Sequence, residues 1–239
     1  MSKTCAFARA TALCAAALLG GCATVSQDAV PTGTAAAAYQ NNIEIDGRIS
    51  VQYEQDQRPQ SLHGSFFWKQ TAQELNLEMF SPLGQTVATI NVKPGIATLV
   101  QSGRAPQVAA DVDALAAQSL GWPLPVSGMR QWLQGSGVDA SGRPFVAKAG
   151  EDDTSYHTRD GWRVTYANWE TDAASGQTRP KRIDLSRNTS QAGKVSIRIA
   201  IDGCSYAYNA SPAHSAPYCS PARRPRPGCH GDRRYRPRW

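Results

Sequence analysis

Between residues 43 and 202 the chain alternates apolar and polar positions with a period of two, interrupted once near the middle. Ile43, Ile45, Gly47, Ile49, Val51 and Tyr53 fall on one face of a long first strand, and Leu62, Gly64, Phe66 and Trp68 on one face of a second. Leu75, Leu77 and Met79 predict a third strand, and Ala88, Ile90 and Val92 a fourth. Ile96–Val100 predicts a fifth, after a Pro94-Gly95 turn. A period of two marks strands that bury one face, and short polar links between them fit an antiparallel meander.

The interruption reads differently. Asp111–Leu120 has helical composition, with Asp111 placed to cap it and Gly121 to stop it. A second short helix is predicted over Gly128–Leu133, capped by Ser127. Between them Gly121-Trp122-Pro123-Leu124-Pro125 is apolar, yet its two prolines exclude both helix and central strand. Strands then resume: Asp160-Gly161 predicts a hairpin turn before Trp162, Val164 and Tyr166. Ile183 with Leu185, and then Val195, Ile197, Ile199 and Ile201, follow.

One-sided strands must cover their apolar face, and a sheet can do so by curling round it. The expected fold is therefore mainly β: an open, unclosed antiparallel barrel (a half-barrel) with the inserted helices as a lid over an apolar cavity. A barrel with a filled core and no cavity gives the same periodicity.

The first residues carry a different pattern. Lys3 and Arg9 precede Ala10–Leu19, an apolar run too short for a bilayer, which needs about 20 residues. It ends in Leu19-Gly20-Gly21-Cys22, the form of a lipobox, so residues 1–21 read as a lipoprotein signal peptide cut before Cys22. Cys22 is the expected lipidation site, and residues 22–41, small and polar, the expected flexible tether. Ala23 is compatible with sorting to the outer membrane.

Charge changes the picture only once it is located. The chain holds 25 basic and 19 acidic residues. Residues 204–239 contribute seven arginines against Asp232, which leaves 25 − 7 = 18 basic and 19 − 1 = 18 acidic groups before them. Setting aside Lys3 and Arg9, residues 22–203 carry 16 − 18 = −2. A basic groove for nucleic acid is not what this domain offers. The Arg/Pro-rich segment 204–239 has almost no aliphatic residues and reads as a disordered tail from a shifted reading frame or a lost stop codon.

Cysteines divide the same way. Cys5 and Cys14 leave with the signal, Cys22 is lipidated, and Cys204, Cys219 and Cys229 fall in the tail, so no disulfide framework supports residues 42–203. The tail cysteines with His214 and His230 match no compact ligand spacing, and no metal or cofactor is expected. His63 and His157 lack a Cys or Ser partner at recognisable spacing and read as structural or exposed. No G-x-S-x-G elbow and no nucleotide-binding G-x-x-x-x-G-K-[S/T] loop occur, so the expectation is not an enzyme. Phe66, Trp68, Trp122, Trp132, Trp162 and Trp169 fit either core or cavity wall, and Arg130 either a lipid head group or an interface acid.

Three segments in order carry a resemblance: Phe66-Phe67-Trp68-Lys69-Gln70, Ser81-Pro82-Leu83-Gly84, and Gly121-Trp122-Pro123-Leu124-Pro125 through Met129-Arg130-Gln131-Trp132-Leu133-Gln134-Gly135. With the lipobox, they make residues 43–202 similar to the LolB family of outer-membrane lipoprotein receptors. Two departures stand out: the stretch before Ile43 is short, and residues 204–239 match nothing in the family. The resemblance implies a monomer on the periplasmic face of the outer membrane. Its partners would be the periplasmic carrier LolA, acylated lipoprotein cargo and outer-membrane lipid. It also implies that Leu83 sits on a protruding loop and acts in delivery to the membrane. The alternative is a structural or assembly lipoprotein with a filled core.

Overall fold

The computed structural model describes residues 30–151, 154–173 and 175–206. Cys22, the signal segment and the tail from residue 207 lie outside them. Five strands form in succession: β1 (Ile43–Gln55), β2 (Arg58–Gln70), β3 (Leu75–Phe80), β4 (Thr86–Lys93) and β5 (Ile96–Gln101). They follow the period-two segments. A three-residue strand, β6 (Gln107–Ala109), precedes the helices α1 (Val112–Leu120) and α2 (Val126–Trp132). After a small hairpin of β7 (Ser136–Val138) and β8 (Pro144–Val146) come β9 (Ser155–His157), β10 (Arg163–Thr171), β11 (Thr178–Thr189) and β12 (Gly193–Tyr206).

Ten strands make one antiparallel sheet in the order β6-β5-β4-β3-β2-β1-β12-β11-β10-β9. The first and last long strands meet in its middle, where Ile49 faces Ile199 and Val51 faces Ile197. Its outermost strands, β6 and β9, are not paired with each other, so the barrel stays open. The inward side chains of every long strand, with Leu115, Trp122, Leu124, Met129 and Trp132 from the helical insert, form one buried cluster. Trp68, Trp122 and Trp162 are fully buried, which places them in the core.

Asp111 caps α1 as expected, its carboxylate accepting from the Asp113 and Ala114 amides at 2.8 and 3.1 Å. Gly121 ends it in the left-handed region at φ 82°, open to glycine without steric penalty. The second helix departs from expectation. It starts at Val126 after Pro125, with no side-chain cap, because the Ser127 hydroxyl is used elsewhere: it donates to the Asp113 carboxylate of α1. The Ser127 amide donates to the same carboxylate at 3.0 Å, so one acid joins both helices. Burial is the main reason the Asp113 carboxyl is raised above its ordinary value, opposed by those two hydrogen bonds.

Both domain margins also differ from the sequence reading. Residues 31–41, expected in the flexible tether, lie along the domain as a strap. Gly33, Ala36 and Ala37 donate backbone hydrogen bonds to Ala149, Ala147 and Thr178 (2.6, 2.9 and 2.8 Å). The Gln40 amide donates to Gln134 Oε1 (2.8 Å), and Gln134 Nε2 returns a bond to the Gln40 carbonyl (3.0 Å). Ala36 is buried. At the other margin, Cys204–Tyr206, expected in the tail, continue β12, and Tyr206 pairs with Ile43.

Candidate functional site

The site grows from a break in register. Met79 pairs with Ala88 and Phe80 with Thr86, which leaves Val87 as an extra residue in β4. Such a bulge re-aims side chains and bends the strand. Gly64 on β2 accommodates the bend, since a Cβ there would run into the Phe80 carbonyl. The chain then reverses through Ser81-Pro82-Leu83-Gly84. The Gly84 amide donates to the Ser81 carbonyl, and the Ser81 amide to the Gln85 carbonyl (both 2.8 Å). Gly84 has φ 79°. This turn is complete without any contribution from the Leu83 side chain, which is 87 % exposed.

On one side of the turn lies an apolar cleft of about 410 Å³. Ile49, Val51 and Tyr53 of β1, Met79 of β3, and Leu120 and Trp122 of the helical insert form its walls. Leu62 and Val87 belong to it too and are 44 % and 43 % exposed. Its size falls in the range typical of ligand sites, about 300–1,000 Å³. Ser81 and Pro82 of the turn line the cleft as well, which places the Leu83 turn at its edge. Trp122, at the foot of α1, packs 6.3 Å from the Tyr53 ring and fixes the helix over the sheet. Apart from His63 and Ser81 at its edge its walls are mostly apolar, so what it offers is burial of apolar surface.

Across the turn lies a second, more polar groove of about 520 Å³ on the outer face of β1, β2 and β12. The two share Ile49, His63, Gly64, Ser81 and Pro82.

Other sequence candidates settle elsewhere. Arg130, half-buried, donates to the Thr71 carbonyl at 2.8 Å, tying α2 to the β2–β3 turn. Phe66 and Trp132 are buried in the core, and Trp169 packs partly buried against it. His63 is exposed, with Nε2 3.0 Å from Ser61 Oγ. His157 is exposed in β9 opposite Arg163. Leu62 reads from the sequence as an inward residue of the second strand, whereas Val87, out of phase with Ala88, Ile90 and Val92, is not singled out there.

Residues 41–203 match the family described as "Outer membrane lipoprotein LolB". The chain belongs to the LolB family. An outer-membrane lipoprotein LolB from Cupriavidus necator is 37 % identical over 186 residues, spanning 77 % of this chain and 90 % of its own length. The Cupriavidus metallidurans protein of the same name is 36 % identical over 168 residues, covering 65 % and 77 %. One from Bordetella petrii is 30 % identical over 193 residues, covering 80 % and 89 %. Among solved structures, a LolA superfamily protein from Nitrosomonas europaea aligns at a TM-score of 0.41 with 10 % identity, over 70 % of this chain and 88 % of its own. As a LolB family member the chain is an outer-membrane lipoprotein, in agreement with the localisation read from its sequence.

Proposed function

We propose that this chain receives acylated lipoproteins from a LolA-type periplasmic carrier and places them in the outer membrane, with no nucleotide hydrolysed and no covalent chemistry of its own. On this reading it is cut before Cys22, lipidated there, and held on the periplasmic face as a monomer. The observation that carries the proposal is Leu83, almost wholly exposed in the turn whose Ser81 and Pro82 line an apolar cleft.

Magnitudes make the role intelligible. Removing a methylene from water is worth about 0.8 kcal/mol, so one sixteen-carbon chain in water costs on the order of 10 kcal/mol. Cargo must pass from one apolar surface to another, and an advantage of about 1.4 kcal/mol for the receiver gives a tenfold bias. The cleft supplies apolar walls, and its exposed rim offers a path along which chains stay partly covered. A leucine entering the acyl layer adds about 2 kcal/mol, enough to bias contact with a bilayer and too little to hold the protein there. The competing reading, a structural lipoprotein, draws on the filled core, but it leaves the exposure of Leu83 without a use.

The Leu83→Glu variant tests the delivery step. The turn is closed by its backbone, so folding and uptake of acylated peptide are expected to match wild type. Transfer of that peptide into liposomes is expected to fall at least tenfold. Equal loss of uptake and transfer would contradict a separate delivery role for Leu83.

A further inference from the structure

We propose that the groove beside the Ser81–Gly84 turn, lined by Arg48 and Arg198, is a phosphate site for the head group of a bilayer glycerophospholipid, engaged when Leu83 enters the membrane. The proposal rests on the delivery role of Leu83 and adds the polar half of that contact.

The groove is a compact grid on the outer face of three adjacent strands. Arg48 pairs across to Ser65 on one side and Ala200 on the other, and Ser50 to His63 and Arg198. Arg48 and Arg198 are therefore diagonal neighbours with His63 beside them, and Ser81 closes the groove from the turn. Two arginines this close repel unless anions stand by. Arg48 is held by Asp202 through Nε (3.0 Å) and Nη2 (2.9 Å). Arg198 is held through Nε by one oxygen of Asp184 (2.7 Å), whose other oxygen takes Arg182 Nε at 3.0 Å. Three guanidiniums thus share two carboxylates, a local excess of 3 − 2 = +1. The pairs fix both guanidinium planes while their side chains stay largely exposed. A planar guanidinium with N–H groups to spare suits phosphate oxygens.

Depth identifies the source of the phosphate. Ser81, Pro82 and Gly84 line the groove, and Leu83 lies between them in sequence and points away, exposed. An apolar group at an interface sits about 5–10 Å into the boundary between head groups and acyl chains. With Leu83 at that depth, a groove walled by its immediate neighbours lies among the phosphates. Apolar insertion and basic contact then act together, as weak single anchors must for stable membrane association. The same turn separates this groove from the apolar cleft, so chains and head groups meet different surfaces of one element.

The test uses the chain from residue 22 with Cys22→Ser and short-chain dihexanoyl-phosphatidylglycerol below its micelle concentration. Binding is read from the side-chain Nε–H resonances of Arg48 and Arg198 in proton–nitrogen spectra. These report the groove and are separate from the arginines of the tail. Saturable shifts of both are expected, with affinity at least tenfold weaker for inorganic phosphate. In Arg48→Gln/Arg198→Gln, lipid affinity is expected to fall about thirtyfold, from about fivefold per cation near an anionic lipid surface. Unmoved arginine signals would overturn the proposal, as would inorganic phosphate binding equally well. Shifts confined to Leu120 and Trp122 would overturn it too, by assigning the lipid to the cleft. Uptake of acylated peptide by the double variant is expected within twofold of wild type. A wild-type chain that takes up no peptide would instead defeat the receptor reading, and the arginine shifts would still decide the phosphate site.

Discussion

Leu83 occupies the third place of a turn closed by backbone hydrogen bonds, so its exposure cannot be ascribed to the needs of folding. Asp113 is its opposite: a half-buried carboxylate that joins α1 and α2 through Ser127. Burial raises its carboxyl above the ordinary 3.8. The folded chain then holds this proton more tightly than the unfolded chain. The sign follows: Asp113 costs stability progressively as pH rises from about 3.8 through its raised value, and the cost is absent below 3.8. Replacing Asp113 with Asn should flatten that part of the profile. Urea denaturation from pH 3.5 to 7 is expected to show the difference in stability between variant and wild type shifting in the variant's favour as pH rises. A difference independent of pH would remove the buried charge from the account.

At the scale of elements, the long strands were legible because each buries one face, and Asp111 was legible as a cap because it directly precedes the helical segment, where its carboxylate meets the Asp113 and Ala114 amides. Three-residue strands such as β6, β7 and β9 were not, since a period of two has no room to declare itself in so short a run. Ser127 misled because a serine before a helix has two possible uses, and only the folded chain shows that Asp113 claims it. The strap misled for a similar reason. Small residues such as Ala36 and Ala37 resemble a linker, but their smallness also lets the backbone lie close, with Ala36 against Gly135. The turn bearing Leu83 was legible in sequence, whereas the cleft beside it was not, because it joins Tyr53, Met79 and Leu120 from separate elements. Gln134→Ala deletes both side-chain bonds to Gln40, each worth about 1 kcal/mol net. Hydrogen exchange is expected to quicken at the Gln40, Ala37 and Ala36 amides while β1 stays protected. Unchanged exchange would mean that the backbone bonds alone hold the strap.

For the whole molecule, the strap sets where the lipid anchor leaves the domain. Tyr39 accepts a 2.7 Å hydrogen bond from Gln70, which pairs with Leu75 at the start of β3. The Leu83 turn follows the far end of that strand, about 17 Å away at 3.3 Å per residue. Residues 22–31 can span at most about 36 Å. On the proposed function the tether runs from the start of the strap, where Gly33 is bonded to the Ala149 carbonyl, to the membrane holding Cys22, so its length sets whether Leu83 can meet that membrane. Deleting residues 23–29 should abolish delivery into the liposomes carrying the protein and leave uptake intact; transfer at the wild-type rate would show that reach does not limit delivery.

All of this depends on the cleft taking an acyl chain. The direct measurement is titration of the Cys22→Ser chain with a hydrophobic fluorescent probe, followed by competition with an acylated peptide. The account predicts saturable binding of one probe per chain, displaced by the acylated peptide and not by its unacylated form. Failure to saturate, or indifference to the acyl group, would contradict it and leave a structural lipoprotein with a filled core.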